Sequence, residues 1–122
     1  MILYKNFFAE FKLMTTAMAD CLGMDAELFY TKTRKREVVI PRQVLMTVFK
    51  FRYPQLNLHT IGGFFNRDHA TVIHAMKQVY DGLFTKDKIM RDCCSWALEI
   101  SKQIPRKQLH QKKLLILKFN SR

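Results

Sequence analysis

Two short stretches hold most of the side chains that could do chemistry in this chain. One is Arg67-Asp-His-Ala-Thr-Val-Ile-His-Ala75; the other is Arg34-Lys-Arg-Glu-Val-Val-Ile-Pro-Arg-Gln43. The first gathers a carboxylate, two imidazoles, a hydroxyl and a methyl within one or two helical turns. The second opens on cations, with four of the five residues from Lys32 to Arg36 being Lys or Arg. Neither pattern suits a reaction centre. Asp68, His69 and Thr71 are neighbours in sequence, which does not make a catalytic triad, and a helix tip offers no water-excluded pocket. His69 and His74 lie about 140° apart around a helix, so they do not share a face for a metal ion. Cys93 and Cys94 are adjacent and lack the Cys-x-x-Cys spacing of a zinc or redox site. The four glycines, Gly23, Gly62, Gly63 and Gly82, do not form a phosphate-cradling P-loop. What the two stretches suit is recognition. Small and polar groups at a helix tip can meet base edges in a major groove, and cations can meet phosphates.

Such side chains need a rigid support, and the sequence around them supplies one. Leu58, Ile61, Phe64 and Phe65 recur at helical spacing and predict one short helix with a buried stripe. Asn66 can adopt the left-handed conformation that closes it. Asp68 can then cap a second helix by accepting backbone N–H groups two or three residues on. In that second helix Val72, Ile73, Met76, Val79 and Tyr80 are the expected inward set, ending near Asp81-Gly82. His69, Ala70 and Thr71 occupy its first turn, with His74 and Lys77 beyond. A short helix, a turn and a helix with small polar residues at its tip is the helix-turn-helix arrangement.

The remaining elements follow from periodicity. Lys5 to Leu22 reads as an amphipathic helix, with Phe7, Phe8, Phe11, Met14, Met18 and Leu22 as its stripe. Gly23 ends it, and Asp25 caps a short helix over Ala26–Tyr30 whose Leu28 and Phe29 pack inward. Residues 31–37 should be an exposed basic loop, able to reach along a phosphate backbone or into a minor groove. Pro41 is expected at the first position of a helix running to Arg52, with Val44, Leu45, Val48 and Phe49 inward. Arg42 and Gln43 would then lie in its first turn, where free N–H groups and the dipole suit a phosphate. Pro54 stops this helix, and Asn57 caps the next. A last helix is expected from Thr85 to Gln103, with Ile89, Cys93, Trp96, Leu98 and Ile100 inward. Residues 1–104 are read as one domain, and 105–122 as a basic and apolar tail that docks on the core, adds a short element or mediates self-association.

Composition narrows the class. At 122 residues and 48% hydrophobic content the chain can build one self-sufficient core. Its net charge is +11, from 21 Lys and Arg against 10 Asp and Glu, which suggests an anionic partner. Three cysteines and no secretory signal point to a reducing cytoplasm. No apolar run approaches the roughly 20 residues of a membrane span. No membrane partner and no cofactor are expected.

The two stretches together resemble the C-terminal DNA-binding domain, domain IV, of the bacterial replication initiator DnaA. That family's signature is usually Arg-Asp-His-Thr/Ser-Thr-Val-x-His-Ala, and its basic loop precedes the next helix as Arg34–Gln43 does here. The resemblance covers roughly residues 12 to 100. It implies an all-α fold, a compact bundle of about six helices containing a helix-turn-helix, Trp-repressor-like or DnaA C-terminal-domain-like. It also implies sequence-specific binding of double-stranded DNA at DnaA-box-like, origin-type sites, in or regulating replication initiation, near the nucleoid. A replication-initiation protein is a second candidate partner. Arg34 falls where the family places an Arg in the minor groove, and Asp68, His69, Ala70 and Thr71 where it reads bases. Lys35, Arg36, Arg42, Gln43, Arg67, His74 and Lys77 are the expected phosphate contacts. The chain departs from the pattern twice. Ala70 stands where the family has Thr or Ser, and the turn before Arg67 is one residue shorter than the usual Gly-Gly form. The ATPase module of full-length DnaA is not expected. The competing reading, from another class, is a helical interaction or oligomerisation module with non-specific nucleic-acid affinity.

Overall fold

The computed structural model describes residues 2–84 and 87–104, with side chains from Phe7 onward except that of Phe84. Its α-helices are α1 (Ile2–Leu22), α2 (Arg36–Arg52), α3 (Leu58–Phe64), α4 (His69–Phe84) and α5 (Lys88–Gln103). No strand occurs among the described residues, so the fold is all-α. The expected short helix over Ala26–Tyr30 is a 3₁₀ turn, leaving five α-helices among the described residues rather than about six. Its Asp25 cap accepts from the Glu27 amide, and five residues are too few to settle into a longer α-helical ladder. The tail from residue 105 lies outside the described residues.

Helix α2 is the centre of the molecule and packs against every other element. Val38, Ile40, Val44, Leu45, Met46, Val48 and Phe49 are all buried, on more than one side of the helix. A helix apolar around most of its circumference belongs in the interior. Stacked aromatic rings run across it. Phe11 of α1 lies 3.9 Å from Phe49, centroid to centroid, and Phe49 lies 5.8 Å from Phe65 after α3. Parallel, offset rings at these separations join helix burial to a specific register.

Helix α2 starts at Arg36, five residues before the position that Pro41 suggested. Burial of Val38 and Ile40 draws the extra turn into the helix. Pro41 therefore sits in the second turn, where its missing N–H leaves only the carbonyl of Glu37, an exposed residue in the first turn, without a helical donor. Residues 36 and 37 belong to this helix and not to the loop.

The buried faces differ from the expected ones in a consistent way. In α4 the inward set is Val72, Ala75 and Val79, with Met76 half-buried, while Ile73 and Tyr80 are exposed. In α5 it is Met90, Cys93 and Ala97, while Ile89, Trp96 and Leu98 face outward. Each true stripe passes through a small residue that weighs little on a hydrophobicity scale. Phe8 and Leu28 are likewise exposed. Helix α4 continues through Gly82, which needs no Cβ because the Met90 side chain occupies that space. Helix α5 then begins at Lys88, capped by Asp87, whose carboxylate accepts from the Met90 amide at 3.2 Å.

One buried ion pair closes the end of the bundle. Arg52 on α2 donates to Glu10 on α1 at 3.1 Å, and to the carbonyls of Ser101 and Ile104 at the end of α5. A guanidinium at a helix C-terminus answers both the open carbonyls and the negative end of the dipole.

Candidate nucleic-acid interface

The helix-turn-helix is built as its residues dictate. Asn57 caps α3, its side chain accepting from the Thr60 amide at 2.8 Å. Gly62 carries the tight turn. A Cβ there would lie 2.7 Å from the Arg67 carbonyl oxygen and 2.9 Å from that of Asp68. Asn66 takes φ 58°, the left-handed conformation, and the Arg67 amide donates back to Gly62 at 2.8 Å. Asp68 then caps α4 with a single oxygen, Oδ1, which accepts from both the amide and the hydroxyl of Thr71 at 2.9 Å. Those two bonds from Thr71 hold the Asp68 carboxyl below its usual range.

The tip of α4 is open to solvent. Asp68, His69, Ala70, His74 and Lys77 are exposed, and Thr71 is half-buried. Beside it the basic loop, residues 31–35, is fixed by its own hydroxyls. Thr31 donates to the Leu28 carbonyl at 2.7 Å, and the Lys35 amide donates to the Thr33 hydroxyl at 3.2 Å. Lys32, Arg34 and Lys35 point outward. Lys32 and Arg34 share one surface concavity with Asn66, Arg67, Asp68 and Thr71. Segments more than thirty residues apart in sequence thus form one continuous, largely cationic face. Arg34 also lines an adjoining depression with Gln43 and Gln78, and Gln43 is half-buried there.

Several predicted residues are placed differently from the expectation. Arg42 and Gln43 are not in the first turn of their helix, because α2 starts at Arg36; the argument from free helix-end amides does not apply to them. Arg42 is only 7% exposed and donates to the carbonyls of Phe29 and Thr31 at 3.3 and 3.2 Å. Burial, and then the nearby Arg67 charge, lower its proton affinity. Arg67 is half-buried and donates to the same Thr31 carbonyl and to that of Phe65. Arg36 pairs with Asp87 at the start of α5.

His59 lies outside both stretches that the sequence singles out. Its ring lies against that of His69, centroids 4.4 Å apart and tilted by 41°. The available signal was only its place in the first turn of α3, just after the Asn57 cap. Among the described residues, no three His, Cys, Asp or Glu side chains are grouped to hold a metal ion, and no helix is long and apolar enough to cross a membrane.

Comparison with known proteins agrees with this architecture. The family described as Bacterial dnaA protein helix-turn-helix matches residues 12–79. The Chromosomal replication initiator protein DnaA of Flavobacterium psychrophilum is 47% identical over 72 residues, covering 58% of this chain and 15% of that protein. Its counterpart in Anaplasma marginale is 37% identical over 99 residues, covering 76% of this chain and 19% of the relative. That of Nitrosomonas europaea is 38% identical over 76 residues, 62% and 16% of the two chains. The chain thus spans less than a fifth of the length of these relatives. With more than half of its residues matched, the chain belongs to the bacterial DnaA helix-turn-helix family.

Proposed function

We propose that this chain is a sequence-selective module for double-stranded DNA that acts in, or regulates, replication initiation. The observation that carries the reading is the shared face on which the Arg34 loop and the tip of α4 stand side by side. Spaced in this way, a guanidinium can enter a narrow minor groove while the helix tip enters the neighbouring major groove. Asp68, His69, Ala70 and Thr71 face base edges, with the Ala70 methyl suited to a thymine methyl. Lys35, His74 and Lys77 are exposed and meet phosphates. Gln43 lines the same depression as Arg34 and can support the same register. The 122 residues contain no P-loop, so the reading gives them occupancy of origin-type sites and not ATP-driven opening of the duplex.

Binding to duplex oligonucleotides followed by fluorescence anisotropy tests this. Arg34→Ala and His69→Ala should each cost about 1–3 kcal/mol on a cognate site and relax preference there. Lys77→Ala should weaken cognate and scrambled duplexes alike and flatten the salt dependence by about one unit of slope. An interaction module would bind duplex weakly and without regard to sequence, and neither His69→Ala nor Arg34→Ala would alter its discrimination.

A further inference from the structure

Arg42 and Arg67 converge on one backbone atom, the carbonyl oxygen of Thr31. Arg42 reaches it from the second turn of the central helix and Arg67 from the turn between α3 and α4. Two cations on one acceptor repel each other, so the arrangement persists only because the surrounding fold holds both. Arg42 is anchored by burial and by the Phe29 carbonyl, at 3.3 Å. Arg67 is anchored by the Phe65 carbonyl at 3.1 Å, within its own turn. Thr31 is where the 3₁₀ turn ends and the basic loop begins, and its hydroxyl is already tied to Leu28. Farther along, Thr33 and Lys35 are braced by loop hydroxyls, and the loop runs directly into α2. The loop is therefore held at its far end by a helix and at its near end by two arginines.

We propose that Arg67 is a positioning residue. Its bond to the Thr31 carbonyl, made jointly with Arg42, locks the basic loop to the turn that presents α4, so the two groove-reading parts move as one body. This rests on the DNA-binding reading above and deepens it. A loop and a helix tip that must enter adjacent grooves together lose affinity if either is free to drift, because each ordering step on binding costs free energy. Fixing the Arg34 loop in advance removes that cost on the correct sequence. A guanidinium suits the role because its planar fork reaches two carbonyls from one fixed plane, which an ammonium does not.

The test uses the full chain, the duplex most enriched from a random-sequence selection with the wild-type protein, and a base-shuffled duplex. Arg67→Lys keeps the charge and loses the fork, and should lower discrimination between the two duplexes roughly tenfold, the effect of losing one good base contact. Arg67→Met should lose a similar factor while leaving the salt slope on the shuffled duplex unchanged. Lys35→Ala, the exposed cation of the same loop, should make that slope shallower by about 0.9. In the free protein, amide exchange at Thr33 and Lys35 should quicken in both Arg67 variants. Retained discrimination in Arg67→Lys overturns the proposal. So does a slope shallower by about 0.9 in Arg67→Met, because that is the signature of a direct phosphate contact. If Arg67→Met lacks the wild-type helical circular dichroism, Arg67→Lys decides alone. If the wild-type protein enriches no duplex, the DNA-binding reading itself has failed, and the clamp on Thr31 falls with it.

Discussion

At the scale of the residue, one carboxylate oxygen connects stability to recognition. Asp68 spends Oδ1 on the amide and hydroxyl of Thr71, so the cap of α4 and two of the proposed base-reading side chains are a single hydrogen-bonded group. The bonds depress the Asp68 pKa, and a depressed carboxyl stabilises the fold above its ordinary value and loses that effect as pH falls through the lowered one. In an acid titration by NMR, the Thr71 amide should therefore hold its shift through the ordinary carboxylate range and move only below it. Asp68→Asn should abolish the movement, and a Thr71 shift that titrates at the ordinary value would contradict the cap. The cysteines offer a second residue-scale prediction. Burial, with Cys94, Asp92 and Asp87 nearby, pushes the Cys93 thiol up to about 11, and burial also raises Cys94. Cys21 is exposed. Alkylation of the native protein near pH 8 should modify Cys21 first, with Cys93 labelled only on unfolding. Rapid labelling of Cys93 in native protein would show that α5 is not packed as described.

At the scale of the element, the two adjacent glycines of α3 should behave oppositely. Gly62 faces the carbonyls of Arg67 and Asp68 too closely for a Cβ, whereas nothing lies within 4 Å of one added at Gly63. Gly62→Ala should destabilise the protein by about 1–3 kcal/mol, as overpacking does, and should splay α4 away from the basic loop. Gly63→Ala should be neutral or stabilising by up to about 1 kcal/mol from helix propensity. Thermal melts of the two variants check the contrast, and equal effects would contradict the turn. Most of these elements could be read in the sequence. Asn57, Asn66, Asp68 and Gly23 each do what their type predicts. Pro41 misled the reading because a local preference for the first helical position yielded to burial of Val38 and Ile40. Ala75 and Ala97 were missed because small residues mark close helix approach without adding much hydrophobicity. The tilt of the two stripes, and hence the exposure of Ile73, Tyr80 and Trp96, followed from them. In the candidate site, the stretch around Arg34 and the stretch from Asp68 to Lys77 were legible as local strings. The contact of His69 with His59, and the inward turn of Arg42 and Arg67 onto Thr31, depend on tertiary contacts that no string displays.

At the scale of the whole molecule, the interface sits on a scaffold closed by Arg52. This side chain joins α1 to the end of α5 through Glu10, Ser101 and Ile104, and almost none of it is exposed. Removing one member of a buried pair leaves the other charge uncompensated, at a cost of about 3–5 kcal/mol. Arg52→Met should lower the melting temperature by roughly 10 °C or more. It should cost more than Glu10→Gln, because the α5 carbonyls lose their donor as well. A smaller effect for Arg52→Met than for Glu10→Gln would contradict the linking role. With the scaffold intact, the shared face of the loop and the α4 tip becomes the claim on which the functional account rests. Selection of the 122-residue chain against random duplex DNA, followed by sequencing of the bound pool, tests it most directly. One enriched motif of two abutting parts is expected, an A·T-rich part and a more strictly specified part. In the same selection, Arg34→Ala should degrade only the A·T-rich part and His69→Ala only the other. A bound pool with no enriched motif, or one whose motif is unaltered by both substitutions, would contradict it.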